Sequence, residues 1–138
     1  MSRKLYVNLP VANLDASVAF FTTLGFTFDP RFTDESASAM LVNDDTGVML
    51  LARSRFTDFT AKAITDTATH TEAIFAFSAE SRADVDRIVN AALEAGGSKA
   101  LDPQDHGFMY GWSFHDLDGH HWEVLWMDPS AIPPHASA

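Results

Sequence analysis

Along KLYVNLPV, residues 4–11, apolar Leu5, Val7, Leu9 and Val11 alternate with Lys4, Tyr6, Asn8 and Pro10, the two-residue period of a strand with one apolar face. The next stretch, NLDASVAFFTTLGF, changes period. Asn13 can cap a helix, Leu14, Val18, Phe21 and Leu24 form one stripe, and Gly25 ends it. Three strand-like pieces follow, FTFDPRF, SASAMLV and GVMLLAR, the last two joined by the turn NDDTG. Residues 54–70, polar and rich in Thr and Ala, break this rhythm and read as a crossover with one short helix. The pattern then begins again. TEAIFAFS is a strand, and Ser81 with Asp84 opens a helix whose stripe is Val85, Ile88, Val89 and Ala92 and which stops at Gly96-Gly97. SKALDP, GFMYGWSFH and HHWEVLWM complete a second β-α-β-β-β run. The two runs share almost no residues, so the repeat is one of architecture. The fold class is α+β: two βαβββ modules over about 4–53 and 71–127, mostly antiparallel, in one domain over 1–128, with a Pro-rich tail at 129–138.

The most chemically suggestive stretch is HDLDGHHWEVLWMD, residues 115–128. A three-residue turn, Leu117-Asp118-Gly119 with Gly119 left-handed, pairs Asp116 with His120, His115 with His121 and Ser113 with Glu123. Alternation then puts Tyr110, Trp112, Phe114, Trp122 and Trp126 on one face and Ser113, His115, His121 and Glu123 on the other. Two histidines and a carboxylate could in principle ligate a metal. One hairpin, however, supplies a row of side chains and not a ring, so the histidines read as a wet hairpin tip. His70, His106, His120 and His135 fall in turns or loops and read as solvated. At the start of the chain, Tyr6 and Asn8 face away from the helix side. For Asn8 a ligand contact and a backbone bond are both open.

Charge narrows the partners. Lysine and arginine total 9 against 19 acids, a net charge of −10, which argues against nucleic acid or an anionic membrane and favours a neutral or cationic small molecule. The absence of cysteine excludes disulfides, thiolate metal sites and a cysteine nucleophile, and makes a reducing cytoplasm the expected location. The first residues read as a strand and not a signal peptide, and no apolar run approaches the roughly 20 residues of a membrane span.

NLPVANLDASVAFFTTLGFTF and FHDLDGHHWEVLWM together resemble the first strand and helix, and the last hairpin, of the vicinal oxygen chelate superfamily, which includes glyoxalase I, bleomycin resistance proteins and extradiol dioxygenases. NLPV and GFMYG…DGHHWE further resemble its lactoylglutathione-lyase-related bacterial branch. The resemblance implies cupped sheets and, in metal-using members, one ligand from each of four strands. Those positions become Tyr6, Leu50, Ile74 and Glu123, of which Glu123 alone matches; a slip of the fourth strand would offer Met49 or Leu51, and of the fifth Glu72. The resemblance thus implies a small-molecule-binding protein without metal or other cofactor, its concave pocket lined by Tyr6, Asn8, Leu50, Ile74, Ser113, His121 and Glu123. A Glu123 buried there without metal is expected to pair with a cation or hold a raised pKa. The rival readings are a metal-dependent lyase, isomerase or dioxygenase, a metal-free enzyme using Glu123 with His121, and a dimerisation module with an idle cleft. A homodimer is expected by the same analogy.

Overall fold

In the computed structural model, which describes residues 3–131, the opening alternation becomes strand β1 (Leu5–Val11). Helix α1 (Leu14–Thr23) follows, and the Asn13 carboxamide accepts the Ala16 N–H at 3.0 Å as its cap. Strands β2 (Thr27–Asp29), β3 (Ala37–Asn43) and β4 (Thr46–Ala52) complete a mixed sheet in the order β1-β4-β3-β2. Short helix α2 (Arg53–Phe56) and a 3-10 turn (Thr57–Phe59) lead out of it. These elements belong to the first of two compact units, Met1–His70 and Thr71–Ala138.

The core of this unit lies between α1 and the sheet. β1 and β4 run parallel with Asn8 opposite Met49 and Leu9 opposite Leu50, so Leu9, Val11, Val48 and Leu50 share one face. That face, joined by Met40 of β3, is buried with Phe20, Phe21 and Leu24 of α1. Three expectations shift here. The buried stripe of α1 is Ser17, Phe20, Phe21 and Leu24, with Leu14 and Val18 only half-buried, because the paired Phe rings (5.0 Å apart, edge to face) take the centre of the interface. Leu5, expected to pack on the helix, is 59% exposed at the first position of β1. FTFDPRF is a strand only as far as Asp29. Pro30 cannot donate to a ladder, and the Asp29 carboxylate takes the Arg31 N–H at 3.0 Å, turning the chain into a 3-10 turn (Pro30–Phe32).

The second unit repeats the plan. β5 (Ile74–Ser78) precedes α3 (Arg82–Glu94), after which come the two-residue strands β6 (Ser98–Lys99) and β7 (Gln104–Asp105) and the long hairpin β8 (Met109–His115) and β9 (His121–Met127). The order is β5-β9-β8-β6, with β7 also on β8. Ser81 caps α3 by accepting the Asp84 N–H at 3.0 Å, while the Asp84 carboxylate accepts the Glu80 N–H. Val85, Ile88, Val89 and Ala92 are buried, as are Phe114, Trp122 and Val124 of the hairpin.

The hairpin has the register read from its turn. Asp116 pairs with His120 through its N–H at 3.0 Å, His115 faces His121, Ser113 faces Glu123, and Gly119 sits at φ +86°. His120 departs from expectation: it is 7% exposed and lies against buried Asp116. Of the Pro-rich tail, Pro129–Ala131 forms a 3-10 turn, and the rest, with His135, lies outside the described residues. Both sheets are mixed and helices are few, so the chain is α+β.

Candidate functional site

Each sheet has a face turned away from its helix, and the site residues read from sequence are distributed over these two faces. On the first sheet, Tyr6 and Asn8 are exposed on the open face, Tyr6 opposite Gly47 and Asn8 opposite Met49. Leu50 is not there. It has no exposed surface and belongs to the core beneath α1, so it cannot line a pocket on this sheet, and Met49 takes the position assigned to it.

Around Asn8 the open face is a basin. Met49, Leu51 and Ala37 continue its floor, and two aromatic rings stand at its margin: Phe32 in the turn after β2 and Phe59 in the turn after α2, 61% and 66% exposed. An arginine lies over each ring, Arg31 with Cζ 5.5 Å from the Phe32 centroid and Arg55 with Cζ 5.0 Å from that of Phe59. The basin has a volume of about 410 Å³, and a second hollow between Asn8, Phe56, Phe59 and Thr60 adjoins it.

The charges around this basin are tied down. Arg31 donates through Nε and Nη2 to the two oxygens of Asp29 at 3.1 and 2.8 Å, and these hydrogen bonds hold Asp29 below the usual carboxylate range. Arg55 donates through Nη1 to Asp58 at 3.2 Å. Asp34, also in the lining, accepts from the Ser36 N–H and hydroxyl, which lower its pKa in the same way.

The open face of the second sheet carries Ile74, Ser113, His115, His121 and Glu123. The segment after β6 folds against β8. The Leu101 N–H donates to Ser113 Oγ at 3.1 Å, and the Trp112 indole donates to the Leu101 carbonyl at 3.1 Å. A small cleft of about 50 Å³ remains between this segment and the sheet, with Gly111, Ser113 and Glu123 at its base. Ser113 is thus buried and already holds a loop, whereas Glu123 is half-buried with no ion pair or hydrogen bond among the described residues. Of the two outcomes expected for a buried Glu123, an ion pair within the chain is not formed among those residues, and the side chain is only half-buried. His115 and His121 meet edge to face with centroids 5.3 Å apart. Burial, and secondarily His115, lowers the pKa of His121, while Glu123 acts the other way. His121 Nε2 is buried and has no hydrogen-bond partner among the described residues.

The sequence points to Asn8 and the hairpin row but not to Arg31, Phe32, Arg55 and Phe59, which lie in two 3-10 turns and the one-turn helix α2, too short to show a period. The usable signal was Asp29-Pro30, a turn-initiating pair inside what reads as a strand.

A family model, the Glyoxalase/Bleomycin resistance protein/Dioxygenase superfamily, matches residues 4–124, and the chain belongs to that superfamily. Among solved structures it is similar to a hypothetical protein from S. aureus, with a TM-score of 0.78 and 27% identity over 91% of this chain and 94% of that one. It is also similar to a glyoxalase-related enzyme from Fulvimarina pelagi (TM-score 0.76, 17% identity, 91% and 88% covered). A third likeness is to a glyoxalase/bleomycin resistance protein/dioxygenase family enzyme from Burkholderia phytofirmans PsJN (TM-score 0.75, 15% identity, 91% and 99% covered). No curated protein matches the chain.

The metal of the superfamily's metal-using members does not fit the residues present. The four positions that the resemblance assigns to its ligands, with Met49 in place of the inward Leu50, hold Tyr6, Met49, Ile74 and Glu123, a phenol, a thioether, a hydrocarbon and one carboxylate. Glu72 is exposed and lies ahead of β5. Among the described residues no three His, Cys, Asp or Glu side chains are grouped to hold a metal ion.

Proposed function

We propose that the chain is a small-molecule-binding protein of its superfamily whose ligand sits on the open face of a sheet without a metal. The observation that carries this reading is the basin around Asn8. Two large aromatic rings exposed beside an apolar floor and one uncommitted carboxamide give shape, hydrophobic contact and one orienting polar group, the ordinary composition of a ligand site. Tyr6 stays with Asn8 in the surface proposed on the first sheet and Leu50 does not; on the second sheet, taken by itself, Ile74, Ser113, His121 and Glu123 form a separate proposed surface. The supporting donor chemistry is that of Tyr6, Met49, Ile74 and Glu123, which disfavours the metal-dependent lactoylglutathione-lyase-like reading. A homodimer remains part of the proposal by analogy with the superfamily, and so does a cytoplasmic location, given the lack of cysteine. No helix among the described residues is long and apolar enough to cross a membrane.

The test is a fragment library screened by amide chemical shifts on the intact protein. Binders should move the amides of Asn8, Met49 and Phe59, and Asn8→Ala should weaken them. A library that moves neither these amides nor those of Ser113 and Glu123 would overturn the proposal. Light scattering at micromolar concentration settles the dimer.

A further inference from the structure

The charge arrangement of the first basin selects one kind of ligand. Its two guanidiniums can only donate hydrogen bonds. Arg31 has spent Nε and one Nη2 hydrogen on Asp29, and Arg55 has spent one Nη1 hydrogen on Asp58; the remaining N–H groups stand over or beside Phe32 and Phe59. A bound molecule must therefore present acceptor atoms to this rim. It need not bring a negative charge: the lining holds Arg31, Arg55 and Asp34, and Asp29 and Asp58, which pair with the two arginines from outside the lining, bring the local sum to about −1 on a chain of net −10. A cation is disfavoured too. The rim offers it guanidinium N–H groups, and the oxygens of Asp29 are taken by Arg31, as one of Asp34's is by Ser36.

Shape sets the other half of the selection. Phe32 and Phe59 expose their rings to water, and the floor between them is Ala37, Met49 and Leu51, small or flexible apolar groups. A flat ring system can stack on the aromatic edges and lie on that floor, gaining apolar burial that an aliphatic chain would gain without the geometric match. Asn8 sits on the same face with both an N–H donor and a carbonyl acceptor to orient a polar substituent.

We infer that the basin formed by Asn8, Arg31, Phe32, Arg55 and Phe59 takes a neutral, planar aromatic molecule bearing carbonyl-type acceptor oxygens on one edge. This rests on the proposed function and narrows it, from a neutral or cationic ligand to a neutral acceptor-edged arene.

The test uses four probes of one shape on the full chain: 2-naphthamide, 2-naphthoate, 2-naphthylmethylammonium and naphthalene. Affinity and location are both read from amide shifts. The amide should bind at the Asn8–Phe59 face about tenfold more tightly than either charged probe, and more tightly than naphthalene, which lacks the acceptor. Phe59→Ala, a substitution of an exposed side chain, should weaken the amide about tenfold, and Arg55→Leu, which removes one donor group from the rim, should reduce its advantage over naphthalene. If naphthoate or the ammonium binds best at this face, the ligand class is wrong while the binding-protein reading stands. Equal binding of the amide and naphthalene removes the acceptor argument alone. If all four leave the face untouched and the fragment library does too, the binding-protein reading fails with it.

Discussion

Leu50 and Glu123 both read from the sequence as pocket-lining residues, and the structure separates them by exposure. Leu50 is fully enclosed beneath α1, so Leu50→Ala leaves a cavity and should cost about 2–5 kcal/mol in denaturant unfolding. It should leave probe affinity in the basin unchanged once the protein is folded. Glu123 is half-buried and makes no hydrogen bond among the described residues, so Glu123→Gln should shift stability by less than about 1 kcal/mol. If the variant instead loses several kcal/mol, Glu123 is a structural group and leaves the proposed surface. Asp116 gives the opposite case. Its carboxylate accepts from the Asp118 and His120 N–H groups at 2.9 and 3.0 Å and from the Trp122 indole at 2.9 Å, and Asp116, His120 and Trp122 are themselves buried. Burial raises its pKa, and the neighbouring His120 and these donors act against that rise. Asp116→Ala strands a buried indole N–H and two backbone N–H groups and should cost about 2–4 kcal/mol.

At the scale of elements, what the sequence makes legible follows from how strictly each segment alternates. The β8–β9 hairpin could be registered because Gly119 fixes the turn and polar and aromatic residues alternate cleanly on either side. β4 could not. Val48, Met49, Leu50 and Leu51 are apolar without a break, so either register satisfies the pattern, and only pairing with Asn8 and Leu9 decides that Leu50 points inward. α1 has the same ambiguity, since VAFF is apolar on several sides. The basin was illegible for a different reason: its rim comes from the four-residue helix α2 and two 3-10 turns, one placed by Asp29-Pro30 and the other by the chain leaving α2. On the second unit, the start of α3 is tied to the segment around β7. Arg82 reaches Asp105 and the Gly107 carbonyl at 2.8 and 2.7 Å and lies over Tyr110 and Trp126, each 5.4 Å away. Arg82→Ala should therefore speed amide exchange over residues 104–108 more than within α3. Beside it, Tyr110 donates to Asp86 at 2.6 Å, which raises its pKa to about 12, with burial contributing. A phenol raised above its unfolded value adds stability that is full below about pH 10 and disappears as pH climbs through about 12. Near-ultraviolet phenolate absorbance should show a component with that late midpoint, missing in Tyr110→Phe.

At the scale of the molecule, the same chain keeps its superfamily's frame over residues 4–124 and lacks most of the donors that the frame's metal users employ. Divalent nickel, zinc, iron and manganese are held by imidazole and carboxylate in shells of several such ligands. Tyr6 would have to ionise, Met49 is a soft thioether, and Ile74 offers nothing, leaving Glu123 as the one ordinary donor of the set. The nearest nitrogen-rich alternative, His115 with His121, is a cross-strand pair on one hairpin, and its rings meet edge to face. Burial shifts His121 toward its neutral form, and what the pair lacks among the described residues is a grouped third ligand. Protein expressed with nickel, zinc, iron and manganese in the medium and then dialysed should carry far less than one metal per chain by elemental analysis. Its unfolding midpoint should not move when a chelator is added, because a ligand bound only weakly to the folded state adds little to its stability. Near-equimolar metal that survives dialysis, together with a chelator-dependent midpoint, would restore the metal-dependent enzyme. His115→Ala and Glu123→Gln would then show which residues hold the ion.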